Sequence, residues 1–458
     1  MSTTTPPQPP KPTVLILGTL DTKVTELLYL RSQIQAAEVS TLLLDVGVTP
    51  TSHPAINITQ HDILSSCPTT TTTNLTSLSR SAALATLATA ATYTIKTLHA
   101  THRIHAIVAA GGSCNTSLAA SVMREALSIG FPKLIVSTVA AGDVRTYVGE
   151  TDLALMHSVV DVMGLNGVLR AILSNAAGAV AGMAGVEFAR QREEVAEEKE
   201  AAKKEKEGKR ELKKNKFKVG ITMFGVTTPA VTAAKSFLDS LPTPEFDFEI
   251  ESYVFHAVGT GGAAMERLIT TDPSNNKNTL DAVLDLTTTE LADQLVGGVF
   301  PAGPKRLLTA AEVGIPQIVS LGACDIVNFG AWETVPSGLR DSRRRLVKHN
   351  EGVTLMRVEK SESEELGRRI AERLREGCRR PGVVEVWVPL RGVSAIGVEG
   401  EVFFDKEADR ALFEAVRGGL EGSGVKVREV DAEINDPGFA VGMARRLVEL
   451  LRDDKERG

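Results

Sequence analysis

The residues best suited to chemistry in this sequence lie where an apolar, strand-like run ends in glycine, threonine or serine. A helix-like pattern follows each of these turns. The first backbone N–H groups of a helix lie at the positive end of its dipole, where an anion such as phosphate can bind. Five such turns favour α/β modules that bind a phosphorylated or carboxylated ligand at strand ends. The turns begin near Gly18, Gly111, Gly225, Gly259 and Thr287.

The first turn offers both backbone and side-chain groups to a phosphate. Gly18 and Thr19, the first two residues of the turn, either allow the backbone to approach a ligand closely or simply form a tight strand-to-helix turn. The next polar residues either cap the helix or meet a phosphate-bound Mg²⁺, which prefers oxygen ligands. The second glycine of a P-loop is missing, so a Walker mechanism is not supported. The candidate nucleotide contacts here are Gly18, Thr19, Asp21, Thr22 and Lys23.

The second turn is rich in small hydroxyl and amide side chains. These groups cap the following helix, complete a phosphate nest, or do both. We expect nucleotide contacts from this turn. The candidates are Gly111, Gly112, Ser113, Asn115 and Thr116.

Three further residues follow strands that would end at the same sheet edge. Asp45 ends the second strand, where a carboxylate accepts ribose hydroxyls in Rossmann-like sites, although it could equally be a loop-start aspartate. Thr138 and Gly142 follow a later strand, and we expect them to line the same crevice. Because the full GxGxxG signature is missing, a mononucleotide is favoured over a dinucleotide.

The second half of the chain carries a comparable set of residues without a phosphate-specific signature. We predict that they line a second pocket for an anion. No spacing identifies a catalytic acid, base or nucleophile, and no metal ligands can be assigned. The candidates for this pocket are Thr227, Thr228, Gly259, Thr260, Gly261, Gly262, Thr288 and Glu290.

Length, charge and cysteine content indicate the number of domains and disfavour some classes of protein. A chain of 458 residues predicts two or three domains. A net charge of −6 and an aromatic content of 4% disfavour direct nucleic-acid binding. The four scattered cysteines indicate reduced thiols, and no apolar run suggests a signal or membrane helix. We therefore expect a soluble, cytoplasmic protein with no membrane contact.

The order of apolar and charged segments predicts two α/β domains. Continuous apolar strands alternate with helical patterns, which is typical of mainly parallel sheets covered on both faces. We predict two Rossmann-like, doubly wound domains at residues 13–189 and 217–458. Residues 1–12 would be a disordered lead, and 190–216 a charged linker or helical extension.

Five of these segments together resemble one known family, the Tm-one-like ATP-binding family. The similarity spans roughly residues 13–452. The segments that carry it are GTLDTK at 18–23, GGSCNTS at 111–117, ITMFGVTTP at 221–229, FHAVGTGGAAME at 255–266 and LDLTTTELAD at 284–293.

The resemblance implies two Rossmann-like domains, ATP and Mg²⁺ as ligands, and a homodimer. It implies a nucleotide-binding protein with a regulatory or partner-binding role, with ATP held at the turns of the N-terminal domain. The alternative is an ATP-dependent enzyme that acts on a small anionic metabolite in a cleft between the domains. Fold and family alone do not choose between the two.

Overall fold

A computed structural model divides the described residues into two compact units, one formed by residues 11–206 and the other by residues 216–457. The predicted disordered lead falls almost entirely outside the described residues, as does the end of the predicted linker. The structure describes residues 11–70, 75–206, 216–270 and 279–457.

The N-terminal unit is built on five parallel strands in the spatial order β2-β1-β3-β4-β5. Both faces of the sheet are covered, since every residue of β3 is buried. This confirms the expectation from continuous apolar runs. The strands are β1 (Thr13–Gly18), β2 (Ser40–Asp45), β3 (Ala106–Gly111), β4 (Lys133–Ser137) and β5 (Ala154–His157).

Helices cover this sheet in two layers. The first and last helices pack together over one face, and the helices between β2 and β4 pack over the other. Between β2 and the third helix lies a short helix, which begins with a capping box formed by Thr59 and Asp62. The helices are α1 (Leu20–Ala36), α2 (Gln60–Ser66), α3 (Arg80–Ala100), α4 (Ser113–Ala126), α5 (Arg145–Val148) and α6 (Gly167–Lys206).

Helix α6 continues without a break into the charged segment, so the helical-extension reading fits residues 190–206. Its part Gly167–Glu197 is long and apolar enough to cross a membrane by composition alone. Leu169, Leu173 and Val180 are nevertheless buried in the core against the sheet. These residues make α6 a core helix of an α/β unit. The cytoplasmic location remains a prediction.

The C-terminal unit contains a six-stranded parallel sheet in the order β14-β13-β9-β8-β6-β7 and a three-stranded antiparallel sheet in the order β10-β12-β11. The strands are β6 (Lys216–Met223), β7 (Glu249–His256), β8 (Ala282–Thr287), β9 (Gln317–Gly322), β10 (Ile326–Phe329), β11 (Leu346–Asn350), β12 (Val353–Arg357), β13 (Val384–Pro389) and β14 (Lys426–Val430).

The alternation of apolar strands and helices predicted that the strands of this half join a parallel sheet, and for β12 this was wrong. β12 follows β11 after only two residues, Glu351 and Gly352. A connection this short joins antiparallel strands, whereas a parallel pair needs a crossover of a dozen or more residues. The two-domain, mainly parallel α/β class is otherwise confirmed.

Two helices of the C-terminal unit pack unusually closely through glycine. In α12, a Cβ on Gly367 would lie 2.6 Å from the Leu412 carbonyl oxygen and 2.8 Å from the Ala415 Cβ of α13. The helices are α7 (Thr228–Asp239), α8 (Thr260–Ile269), α9 (Glu290–Val296), α10 (Leu308–Val313), α11 (Ser337–Arg340), α12 (Lys360–Arg375), α13 (Lys406–Leu420) and α14 (Pro437–Arg457).

We predict that Gly367→Ala lowers the free energy of unfolding of the C-terminal unit by about 1–3 kcal/mol, because the added methyl overpacks this contact. Gly418→Ala is the control, since a Cβ there meets nothing within 4 Å. It should be neutral or stabilising by up to about 1 kcal/mol. Tryptophan fluorescence during urea unfolding reports this unit alone, because both tryptophans, Trp332 and Trp387, lie in it. Equal effects of the two substitutions would contradict the packing argument.

Candidate functional site

The strand order of the N-terminal unit creates a gap at one edge of its sheet. The chain moves from β1 outward to β2, then crosses back to β3 on the other side of β1. The connections after β1 and β3 therefore diverge and leave a crevice at the carboxyl ends of these strands, where ligands bind in open α/β sheets. The turns at Gly18 and Gly111 end these two strands.

A cleft of about 670 Å³ opens at this gap. It combines polar turn residues with an apolar wall from the segment before α3 and from α3 itself. The lining residues are Thr19, Asp21, Thr22, Lys23, Val48, Leu75, Leu78, Arg80, Ala83, Leu84, Gly112, Ser113, Cys114, Asn115 and Asp161.

Three helices begin at this cleft, and two of them have no side-chain cap. Neither Thr19 before α1 nor Gly112 before α4 caps its helix with a side-chain hydrogen bond. The Ser79 hydroxyl, in contrast, accepts a hydrogen bond from the Ala82 N–H and caps α3. Uncapped first-turn N–H groups and the positive dipole end suit an anion.

The side chains of the cleft carry both signs of charge. Lys23 lies where α1 leaves helical geometry (φ −130°, ψ 20°), and Arg80 is the first residue of α3. The Arg80 guanidinium contacts the Cys114 Sγ at 3.8 Å. Asp21 and Asp161 contribute carboxylates. The cleft can therefore pair with an anion and still offer oxygen ligands to a cation.

Sequence reasoning missed Arg80 and Asp161. A usable signal for Arg80 was its position directly after the Ser79 cap. A cation in the first turn of a helix is opposed by the helix dipole, so an arginine there favours an anionic partner. Asp161 carries no comparable signal, because its place at the cleft depends on the loop after β5.

Seven of the thirteen residues predicted to contact nucleotide line the cleft. The other six do not: they lie at strand ends, inside α4 or in the loop after β4. The lining residues are Thr19, Asp21, Thr22, Lys23, Gly112, Ser113 and Asn115; the others are Gly18, Asp45, Gly111, Thr116, Thr138 and Gly142.

Asp45 has a structural role in this geometry. Its side chain is fully buried, and Oδ1 accepts hydrogen bonds from the Leu20 N–H at 3.1 Å and the Gly47 N–H at 2.8 Å. Burial raises the pKa of the Asp45 carboxyl, and the two backbone N–H groups oppose that rise. Asp45 thus fixes the start of α1 against the turn after β2. Whether it also meets a ribose stays a prediction.

Thr116 and Thr138 hold the second turn in place through hydrogen bonds. Thr116 is fully buried, and its hydroxyl donates to the Gly112 carbonyl oxygen at 2.9 Å and lies 2.7 Å from the Ser137 Oγ. The Thr138 N–H donates to the Gly111 carbonyl oxygen at 3.3 Å. These bonds hold the start of α4 against β4. Gly142 lies in the exposed loop that follows.

The C-terminal unit repeats the strand reversal, here between β6 and β8. At the turn after its outer strand β7, one of its own side chains accepts the backbone N–H groups. Gly259 has a φ of 78°, and its N–H donates to Glu290 Oε1 at 2.6 Å. The Gly262 N–H donates to the same oxygen at 3.1 Å. A carboxylate of the protein therefore occupies the position that an external anion would take.

The threonines expected in the second pocket divide between buried and exposed positions. Thr227 and Thr288 are fully buried; the Thr288 hydroxyl donates to the Ser320 carbonyl oxygen at 3.0 Å. The Thr227 hydroxyl lies 2.7 Å from that of Thr287. Thr228 and Thr260 are exposed, and Gly261 is half-buried. These contacts support the fold around the turn after β6.

A buried ionic cluster lies beneath the Gly259 turn, and sequence reasoning did not find it. The Arg306 Nε donates to Glu290 Oε2 at 2.6 Å, and its Nη2 donates to Asp285 Oδ1 at 2.6 Å. Glu266 Oε1 lies 3.6 Å from Arg306 Nη1. One guanidinium thus faces three carboxylates. Burial raises the pKa of Glu266 and Glu290, while the Arg306 charge opposes the rise.

We predict that Arg306→Met lowers the free energy of unfolding by about 3–5 kcal/mol near pH 8, because it leaves buried carboxylates unpaired. A raised pKa of Glu266 and Glu290 in the folded state gives stability that is present in acid and lost as pH rises through that pKa. The penalty should therefore be smaller at pH 5.

Tryptophan fluorescence during urea unfolding measures this difference. The control is Arg417→Met, which removes an exposed pair with Glu429. It should cost about 1 kcal/mol or less at both pH values. An Arg306→Met penalty as small as that of the control, or one independent of pH, would contradict the role of the cluster.

Both halves of the chain match models of one protein family. Residues 12–189 match the N-terminal domain of the uncharacterised protein family UPF0261, and residues 216–451 match its C-terminal domain. Among solved structures, a UDP-GlcNAc 2-epimerase of Methanocaldococcus jannaschii aligns over 95% of this chain and 92% of its own at 10% identity. Its TM-score of 0.18 carries no argument about fold or ligand.

Relatives of this chain occur in bacteria and plants. A UPF0261 protein of Clostridium tetani is 39% identical over 96% of this chain and 98% of its own length. One of Rhizobium meliloti is 39% identical over 93% of this chain and 96% of its own. The ToMV resistance protein Tm-1(GCR237) of Solanum lycopersicum is 38% identical over 75% of this chain, which spans 41% of the tomato protein. The chain therefore belongs to the UPF0261 family, which includes the tomato Tm-1 proteins.

Proposed function

We propose that the N-terminal unit binds ATP as its Mg²⁺ complex, with the phosphates at the starts of α1 and α4. The observation that carries this proposal is the pair of uncapped helix starts in one cleft with Lys23 and Arg80. Without an anion, α4 has no side-chain cap, the first turn of α1 has Asp45 as the acceptor of its Leu20 N–H, and Arg80 opposes the dipole of α3. A bound phosphate chain accepts from the α4 N–H groups and pairs with Arg80.

The volume of the cleft, and its combination of charged and apolar lining residues, support a nucleotide rather than a bare phosphate as the ligand. Its volume of about 670 Å³ falls within the roughly 300–1,000 Å³ of small-molecule sites. Val48, Leu78 and Leu84 form an apolar wall beside the charged groups. An amphipathic ligand with a charged tail matches this arrangement.

The donor groups of the cleft also fit Mg²⁺ carried by the nucleotide. Within the described residues, no group of three or more histidine, cysteine or acidic side chains could hold a metal by itself. Mg²⁺ in nucleotide sites is held by phosphates, waters and one or two carboxylates. Asp21 and Asp161 can provide those carboxylates, and Mg²⁺ would neutralise phosphate charge beside them.

A regulatory or partner-binding role fits this site better than catalysis. Among the lining residues, the Thr22 hydroxyl donates to Asp21 Oδ1, but at 3.4 Å this contact is longer than the roughly 2.5–3.0 Å of an ordinary O–H···O bond. The Gly259 turn, expected to receive a metabolite, is occupied by Glu290. Phosphate release by the wild-type protein with MgATP, alone and with a panel of small acids, would distinguish the enzymatic alternative. A homodimer remains a prediction that light scattering would check.

We predict that Arg80→Ala and Lys23→Ala each weaken MgATP binding roughly 10- to 100-fold, the scale of losing a charge-assisted hydrogen bond. Isothermal titration calorimetry measures the change. Lys96→Ala is the matched control, because Lys96 is exposed on α3 and does not line the cleft. No ATP binding by the wild-type protein, or unchanged affinity in the Arg80 variant, would contradict the proposal.

We predict that Asp161→Asn changes the dependence of ATP affinity on Mg²⁺. Without Mg²⁺, the Asp161 carboxylate repels the phosphates, so the variant should bind ATP more tightly than the wild type. With Mg²⁺, the variant lacks one carboxylate ligand for the metal. Mg²⁺ should therefore raise the ATP affinity of the variant less than it raises that of the wild type. Calorimetry with Mg²⁺ and with a chelator measures both. Glu125→Gln, on the exposed side of α4, should leave both affinities unchanged.

A further inference from the structure

An apolar groove continues from the nucleotide cleft between α3 and α4. It has a volume of about 390 Å³. Leu84, Ser113 and Cys114 line both the cleft and the groove, so the two spaces share a wall. The remaining lining residues of the groove are Ala85, Ala88, Ser117 and Leu118.

Helical spacing builds the two walls of this groove. Leu84 and Ala88 are four residues apart on α3, and Cys114 and Leu118 are four apart on α4. Residues at this spacing lie on one face of a helix. Alanine at 88 leaves open the space that a larger side chain would fill. The walls therefore run away from the helix starts, and the groove leads directly out of the charged cleft.

The groove lies at a suitable distance from the charged groups for the other end of a nucleotide. From Arg80 to Ala88 the axis of α3 rises by about 12 Å. An extended nucleoside triphosphate spans a comparable distance between its phosphates and its base. The groove walls carry no charged side chain, whereas Lys23 and Arg80 are in the cleft. The charges therefore assign the phosphates to the cleft and an uncharged ring to the groove.

We propose that the groove between α3 and α4 is the subsite for the nucleobase of the bound nucleotide. This inference rests on the proposed function, because it requires phosphates at the starts of α1 and α4. The flat base packs between the Leu84–Ala88 wall and Leu118. The Ser113 and Ser117 hydroxyls at the groove can donate to or accept from the ring edge.

The test separates binding of the base from binding of the phosphates. Calorimetry is carried out with MgATP and with inorganic tripolyphosphate plus Mg²⁺, which has the charge but no base. Ala88→Leu fills the groove and should weaken MgATP binding about tenfold or more, through lost apolar contact. It should leave tripolyphosphate affinity unchanged. Thr89→Leu adds similar bulk at the next residue, which is exposed and outside the groove, and should change neither affinity.

Each result supports or overturns one of the two proposals. Unchanged MgATP affinity in Ala88→Leu overturns the base subsite while leaving the phosphate cleft intact. Equal weakening of MgATP and tripolyphosphate also overturns it, because the effect is then not specific to the base. If the wild-type protein binds neither ligand, the proposed function fails. Should Ala88→Leu not fold, Ser117→Leu on the opposite wall carries the same test, since Ser117 is exposed.

Cys114 gives a second measurement on the unmodified chain. It is exposed at the junction of the cleft and the groove, whereas Cys67 and Cys324 are buried. MgATP bound across this junction should slow the alkylation of Cys114 by iodoacetamide. Mass spectrometry measures the rate of this reaction. Cys378, half-buried in the other unit, should react at an unchanged rate. Alkylation of Cys114 that MgATP does not slow would overturn the placement of the base.

Discussion

The candidate site depends on one constraint, which is that parallel strands and their following helices all begin and end at common edges of the sheet. In the N-terminal unit, α1 and α4 directly follow β1 and β3, so their positive ends lie at one edge; α3, which comes after α2, begins at the same cleft. The reversal of strand order between β1 and β3 keeps these helix starts apart and leaves a cleft among them. The polar residues of the two turns at Gly18 and Gly111 are positioned by this arrangement.

The two units share this topology, but they use it differently. In the N-terminal unit the starts of α1 and α4 have no side-chain cap, and the buried groups Asp45 and Thr116 hold the turns from beneath. In the C-terminal unit Glu290 takes the N–H groups of the Gly259 turn and is in turn held by Arg306. The start of α4 is thus open to a ligand, Asp45 holds the Leu20 N–H of α1, and Glu290 closes the Gly259 turn.

Sequence reasoning identified the fold class and the two turns of the site because apolar strand runs and glycine-rich turns are local signals. It could not separate residues that line the cleft from those that support it, since Asn115 and Thr116 are adjacent and differ only in which way the helix presents them. Arg306 was missed for another reason. Its partners are distant in sequence, and only tertiary packing brings it to Asp285 and Glu290.

The central claim is that an anion belongs at the helix starts of the N-terminal unit and not at the Gly259 turn of the C-terminal unit. Amide hydrogen exchange, followed by mass spectrometry with and without MgATP, tests both statements in one experiment. We expect slower exchange for peptides covering 19–24 and 112–116, and no change for peptides covering 259–263. Unchanged exchange at the first two segments, or protection at the third, would contradict the account.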